Sequence, residues 1–227
     1  MTAGGPRVLV HGAWHGAWSW ERVVPLLDGE VITPTLTGLG ERAAEASAAV
    51  DLETHIGDVL DAIGDATGVT LVAHSYAGFV AAGVVARRPE AIARLVLLDG
   101  FVPETGQAMT DQIGERGPAY LAEAERDPGW RAPPAPITAL GVTDPDDAAW
   151  AGALLTPQPV QTYVQRVAGP VDFSVVADRT YVACLEPALP VLDESRARAR
   201  ATGWRYAELL AGHDAMLTHP RDVAALL

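Results

Sequence analysis

Over its first hundred residues the chain alternates short apolar runs with amphipathic stretches. "RVLVHG" (Arg7–Gly12), "EVITP" (Glu30–Pro34), "VTLVA" (Val69–Ala73) and "LVLLD" (Leu95–Asp99) have the length and β-branched content of buried strands. Between them, "SWERVVPLLDG" (Ser19–Gly29) reads as a helix with Ser19 as N-cap and Gly29 as stop. "DLETHIGDVLDAIGDA" (Asp51–Ala66) places Leu52, Ile56, Val59, Leu60 and Ile63 at helical spacing and leaves His55 to solvent. "SYAGFVAAGVVARRP" is apolar all round and reads as a buried helix ended by Pro89. Buried strands alternating with helices predict βαβ units, hence a mostly parallel sheet with helices on both faces.

The pattern breaks near Phe101. From there to about Arg179 the chain is rich in Pro, Asp and Ala, with Trp130, Trp150 and Tyr163 scattered through it. It then resumes with "TYVACLE" (Thr180–Glu186) as a strand, "LDESRARARA" as a helix, "WRYAELL" as a strand and "RDVAALL" as a closing helix. The expected organisation is a core built from residues 1–100 and 180–227, with residues 101–179 inserted as a cap over the strand ends, where α/β sheets bind ligands.

Composition narrows the function classes. Of 227 residues, 49% are hydrophobic and 20% charged, which suits a globular chain with a sizeable core. No apolar run reaches the ~20 residues that span a bilayer, and no leader precedes the first strand, so a cytoplasmic protein without a membrane partner is expected. The single cysteine, Cys184, excludes an internal disulfide and a cysteine-based zinc cage. A net charge of −13, with no lysine, argues against nucleic acid and reads first as solubility; an acidic mouth to the site would favour neutral or cationic small-molecule substrates over anions. A monomer or homodimer fits this composition. "GLGERA" (Gly38–Ala43) matches a dinucleotide fingerprint only nominally: it does not follow the first strand and lacks the later acidic strand end, so no cofactor is expected.

The chemistry gathers around "AHSYAG". Ser75 ends a strand and opens a helix, which raises its hydroxyl at the sheet's carboxyl edge and aims a helix N-terminus at the reacting group. Such a crowded turn needs small residues two before and two after the serine, and Ala73 and Ala77 stand there. A serine needs a base. His213 lies in a glycine-flanked loop between the last strand and the last helix, whereas His219 and His74 read as structural and His11 ends the first strand. The order serine, acid, histidine selects Glu186, 27 residues before His213, with Asp99 at the end of the preceding strand as competitor. The N–H groups of Ala13 and Tyr76 are placed to form an oxyanion hole, each donor worth about 3 kcal/mol in the transition state.

Taken together, "VLVHGAWHGAWSW", "TPTLTGLGER", "VAHSYAG", "LVLLDGFVPETG", "LPVLDESRARA" and "AGHDAML" make the chain resemble the α/β-hydrolase superfamily. Within it they resemble the branch of plant methylesterases, hydroxynitrile lyases and small bacterial esterases. The resemblance implies the α/β-hydrolase fold, a triad of Ser75, Glu186 and His213, and an oxyanion hole at Ala13 and Tyr76. Trp130, Trp150 and Tyr163 of the inserted segment, with Trp14 and His15 of the first loop, are expected to line a substrate pocket, and no metal or organic cofactor is implied. The family usually has aspartate where this chain has Glu186. The lyase members carry threonine or asparagine at the place of Gly12, and some carry lysine at that of Asp214. Cleavage of a small carboxylic ester is therefore expected ahead of cyanohydrin cleavage. A thioesterase, lactonase or cyclase acting on a natural-product intermediate is the alternative, and the intact serine, acid and histidine argue against a non-catalytic ligand-binding protein.

Overall fold

Strand order explains where a site can form. The structure is a computed structural model that describes residues 5–126 and 131–227. Its strands are β1 (Arg7–Val10), β2 (Val31–Ile32), β3 (Val69–His74), β4 (Ile92–Leu98), β5 (Arg131–Ala132), β6 (Gln158–Pro159), β7 (Asp178–Cys184) and β8 (Arg205–Leu209). Six of them form one parallel sheet in the order β2-β1-β3-β4-β7-β8. The chain leaves β1 toward one edge and returns through β3 toward the other. The loops after β1 and β3 therefore diverge and open a crevice at their carboxyl ends, the ligand position of open α/β sheets.

The helices before the break are α1 (Leu52–Ile63) and α2 (Ala77–Arg87), which pack on each other. Asp51 caps α1 by accepting from the Thr54 N–H, a capping box worth about 1 kcal/mol. Gly83 of α2 lies against Ile56 of α1 so closely that a Cβ there would stand 2.1 Å from Ile56 Cδ1. Within residues 101–177 the described chain adds no strand to the main sheet. It forms α3 (Met109–Gln112), α4 (Arg116–Ala124), α5 (Pro145–Leu154) and α6 (Gln161–Val164), with β5 and β6 paired as an antiparallel ribbon. The core then resumes with α7 (Asp193–Ala201), α8 (Ala215–Thr218) and α9 (Pro220–Leu226).

Two expectations differ from the structure. Ser19–Gly29 is not one helix but two 3₁₀ turns, Ala17–Trp20 and Val24–Leu26. Pro25 has no N–H to offer and its ring crowds the carbonyl four residues back, so a continuous α-helix cannot pass through it. His55 is buried rather than solvated. It shares one stripe of α1 with Leu52, Ile56, Val59 and Ile63, the face that turns to the core. There its Nε2–H donates to the Thr37 carbonyl at 2.9 Å and its Nδ1 accepts from the Tyr76 hydroxyl at 3.0 Å.

Candidate active site

Ser75 sits between β3 and α2 with φ 55°, the left-handed region that a serine rarely adopts. The strain is held by neighbours. The Ser75 N–H donates to the Leu98 carbonyl at 3.3 Å, and the Ser75 carbonyl accepts from the Phe101 N–H at 3.1 Å. Ala73 and Ala77 are fully buried, as the crowding requires. The tightest approach falls one residue later, at Gly78, where a Cβ would lie 2.0 Å from the Phe101 carbonyl oxygen.

His213 follows β8 and is buried beside this turn. Its Nδ1 lies 2.7 Å from Asp99 Oδ2. Asp99 is the first residue after β4, has φ 41°, and donates its N–H to the Val182 carbonyl at 2.7 Å. Its other oxygen, Oδ1, accepts from Arg196 Nη2 at 3.0 Å and from the Cys184 N–H at 3.2 Å. A fully buried carboxylate is thus paired and hydrogen-bonded on both oxygens, the condition under which a buried charge persists. Glu186 does not take this place. It lies two residues beyond the end of β7, its N–H donates to the Ala211 carbonyl at 2.9 Å, and its side chain is exposed. β7 stops short of the expected strand end, and Glu186 is left on the outer turn while Asp99 reaches across from β4.

The loop after β1 closes over the serine. A Cβ on Gly12 would stand 2.7 Å from His74 Nδ1 and 3.0 Å from Ser75 Cβ, so only glycine lets the loop come this near. Trp14, with φ 68°, is fixed by its N–H to Gln158 Oε1 at 3.1 Å and its indole N–H to the Ala132 carbonyl at 3.2 Å. Among the described residues the N–H groups of Ala13 and Tyr76 have no protein acceptor.

Behind His213 lies a second polar layer. His74 is fully buried, its ring centroid 4.6 Å from that of His213, and its Nε2–H donates to the His213 carbonyl at 3.1 Å. Burial lowers its pKa to about 3, so it is neutral. Burial also lowers His11 to about 3, its Nδ1–H donating to the Gly12 carbonyl and its Nε2 accepting from the Leu36 N–H. His15 is the exception. Burial opposes its charge, but Asp214, with Oδ2 3.0 Å from His15 Nε2, raises its pKa above the ordinary value. Burial likewise opposes the charge on Asp214, and His15 holds its pKa below the ordinary carboxylate value. The Asp214 N–H donates to the Leu140 carbonyl at 2.9 Å, and a Cβ on Gly212 would meet Gly141 Cα at 2.6 Å. The segment between β4 and β7 therefore rests backbone on backbone against the histidine loop. Among the described residues His74, His213 and Asp214 could bring ligand atoms within 4.8 Å of one another. His74 Nε2, Asp214 Oδ2 and His213 Nδ1 already have protein partners, whereas His74 Nδ1 and Asp214 Oδ1 have no hydrogen-bond partner among the described residues.

A cavity of about 310 Å³ opens onto Ser75 and His213, with Trp14, Leu140, Tyr120 and Tyr163 among its walls. Of the other expected pocket residues, His15 is occupied by Asp214 and stacks on Trp18 at 5.2 Å, and Trp150 packs against Trp18 under the Arg22 guanidinium. Neither lines the cavity. Trp130 lies outside the described residues.

The sequence profile of the alpha/beta hydrolase family matches residues 8–226. The chain belongs to that family. As an alpha/beta hydrolase it is 33% identical to a carbendazim hydrolyzing esterase of a Nocardioides species, an alignment that covers 97% of each chain. It is 35% identical to methylesterase 9 of Arabidopsis thaliana over 43% of this chain and 41% of that one. Among solved structures, an extracellular alpha/beta-hydrolase of a Paenibacillus species superposes with a TM-score of 0.83 at 23% identity, covering 97% of this chain and 96% of the other. No helix among the described residues of this alpha/beta hydrolase is long and apolar enough to cross a membrane. Sequence reasoning overlooked the His15–Asp214 pair, although an acidic residue directly after the candidate base is a visible signal. It also overlooked the support from Leu140, which has no local sequence signature.

Proposed function

We propose that this alpha/beta hydrolase is a carboxylesterase-type serine hydrolase acting on small esters, with Ser75 as nucleophile, His213 as general base and Asp99 as the acid that orients it. The observation that carries this reading is the 2.7 Å contact between His213 Nδ1 and Asp99 Oδ2 on the same cavity as the strained Ser75. The whole-length esterase relative supports the reaction class. His213 accepts the hydroxyl proton as Ser75 Oγ bonds to the ester carbonyl carbon, and Asp99 stabilises the imidazolium that forms. The oxyanion of the tetrahedral intermediate takes the unoccupied N–H donors of Ala13 and Tyr76. His213 then gives its proton to the departing alcohol. Water, deprotonated by His213, opens the acyl-enzyme and releases the acid.

Residues 101–179 serve in this proposal as a cap that shapes the acyl pocket. Hydrolysis is favoured over carbon–carbon cleavage because the group after His213 is a buried carboxylate paired with His15 rather than a cation. The free, buried Cys184 fits a reducing, cytoplasmic setting. The test is labelling with a fluorophosphonate beside a p-nitrophenyl acetate assay. The wild-type chain is expected to take up one label at Ser75 and to release nitrophenol. Ser75→Ala is expected to lose the label and all but a few per cent of turnover while keeping its circular dichroism. A Ser75→Ala chain that retains turnover overturns the assignment.

A further inference from the structure

The cavity wall is apolar except for Ser75, His213, two tyrosines and one guanidinium, that of Arg116 at the start of α4. This cation has no obvious structural duty. Acidic residues outnumber basic ones 29 to 16, and most arginines have taken a carboxylate, among them Arg22, Arg42, Arg87, Arg166, Arg196 and Arg198. Arg116 makes no ion pair among the described residues, although the chain offers nearly two acids per base. A second feature of the same wall is independent of charge. Tyr163 is fully buried, packs edge-on against Tyr120 at 5.2 Å, and its hydroxyl has no hydrogen-bond partner among the described residues. A buried donor left unpaired is costly, and such groups recur where a ligand supplies the missing acceptor.

We propose that Arg116 and Tyr163 form a subsite for a carboxylate, so that the preferred substrate is an ester whose apolar body carries a second, ionised acid group. The guanidinium offers the planar fork that fits a carboxylate, and Tyr163 offers a hydroxyl donor. The rest of the cavity that these groups share with Ser75 is walled by apolar side chains, which suit the body of the molecule. With a net charge of −13, an acidic mouth to the site would favour neutral or cationic substrates. The local charge on the wall reverses that expectation, because a contact partner acts at closer range than the screened field of the surface. The proposal rests on the serine hydrolase reading for the identity of the reacting group, but the carboxylate site can be tested without turnover.

The probes are the monomethyl and dimethyl esters of straight-chain dicarboxylic acids of about four to ten carbons, a range that suits a cavity of this size. Calorimetric binding to Ser75→Ala, which cannot consume them, is expected to favour the monoester over its diester by about fivefold or more at one or more lengths. Adding Arg116→Gln is expected to bring that ratio to about one, as is raising the salt to about 1 M. Adding Tyr163→Phe is expected to reduce the ratio about two- to fivefold. A ratio of one or less at every length, a ratio indifferent to Arg116→Gln, or no binding of any monoester overturns the proposal. Methanol release by the wild-type chain is read separately. Release without a monoester preference sinks the carboxylate site and leaves the hydrolase, whereas preference in binding without release sinks the hydrolase reading alone.

Discussion

At the scale of single residues, the acid is where sequence and structure part. Asp99 and Glu186 both follow a strand and both precede His213, so chain order alone cannot separate them. What separates them is the order of strands in space and one turn of backbone. β4 neighbours β7, and the Asp99 N–H is bonded to Val182 of that strand, which carries its carboxylate under the histidine loop. Asp99→Asn is expected to lower kcat about 10²–10⁴-fold, because the amide leaves the imidazolium unstabilised and can hold the wrong tautomer of His213. Glu186→Gln is expected to stay within about twofold, as an exposed side chain with no charged partner among the described residues. Steady-state kinetics on both variants, with circular dichroism to check the fold, decides between them; the reverse ranking would return the acid to Glu186. Ser75, His213 and the small residues of the turn were legible because their chemistry is local in sequence. Asp99 could be named only as the competitor to Glu186, and the pairing of His15 with Asp214 and the place of Arg116 on the cavity wall could not be read, since each is defined by a partner or a wall distant along the chain.

At the scale of elements, the six strands of the main sheet and α1 and α2 could be read from their apolar pattern because tertiary burial agrees with it. The prediction failed at Ser19–Gly29, where Pro25 overrides the apolar spacing, and it gave no shape to the segment after β4, whose short helices lack a sustained period. Two glycines of α2 carry the packing and differ in what they touch. Gly78→Ala drives a methyl into the Phe101 carbonyl, which is backbone and cannot swing away, so a loss of about 3 kcal/mol or more is expected with a distorted Ser75 turn. Gly83→Ala meets the side-chain end of Ile56, which can turn aside. Its cost is expected at about 1–2 kcal/mol, part of the strain being offset by the roughly 1 kcal/mol that alanine gains over glycine in a helix. Ile56→Val should recover part of the Gly83→Ala loss and none of the Gly78→Ala loss. Urea midpoints of the two double variants check this, and equal rescue would show that α1 does not set the α2 position.

At the scale of the whole molecule, the buried histidines give stability a pH dependence with two limbs. Burial lowers His11 to about 3, His55 to about 4 and His74 to about 3, against 6.5 in an unfolded chain. Their contribution is complete above about 6.5 and is lost as the pH falls toward 4, where only the unfolded chain gains protons. Each contributes roughly 1.4 kcal/mol per pH unit across that range. His15 runs the other way. Its folded pKa is raised, so its pairing with Asp214 stabilises fully below about 6.5 and is lost as the pH rises through the folded value. Maximum stability is therefore expected just above 6.5, and Asp214→Asn should remove the alkaline limb while leaving the acid one. Denaturation midpoints from pH 4.5 to 9 test both limbs, and a curve flat below 6.5 would mean that the three rings are charged in the fold. The positions of the proposed triad have one more consequence. Ser75 and Asp99 are carried by neighbouring strands in the first hundred residues, whereas His213 arrives only after β8. Order along the chain becomes order in time as the ribosome releases it. On the proposed triad, a nascent chain would hold its hydroxyl and its carboxylate early but stay inert toward esters until the final histidine loop had emerged and seated itself.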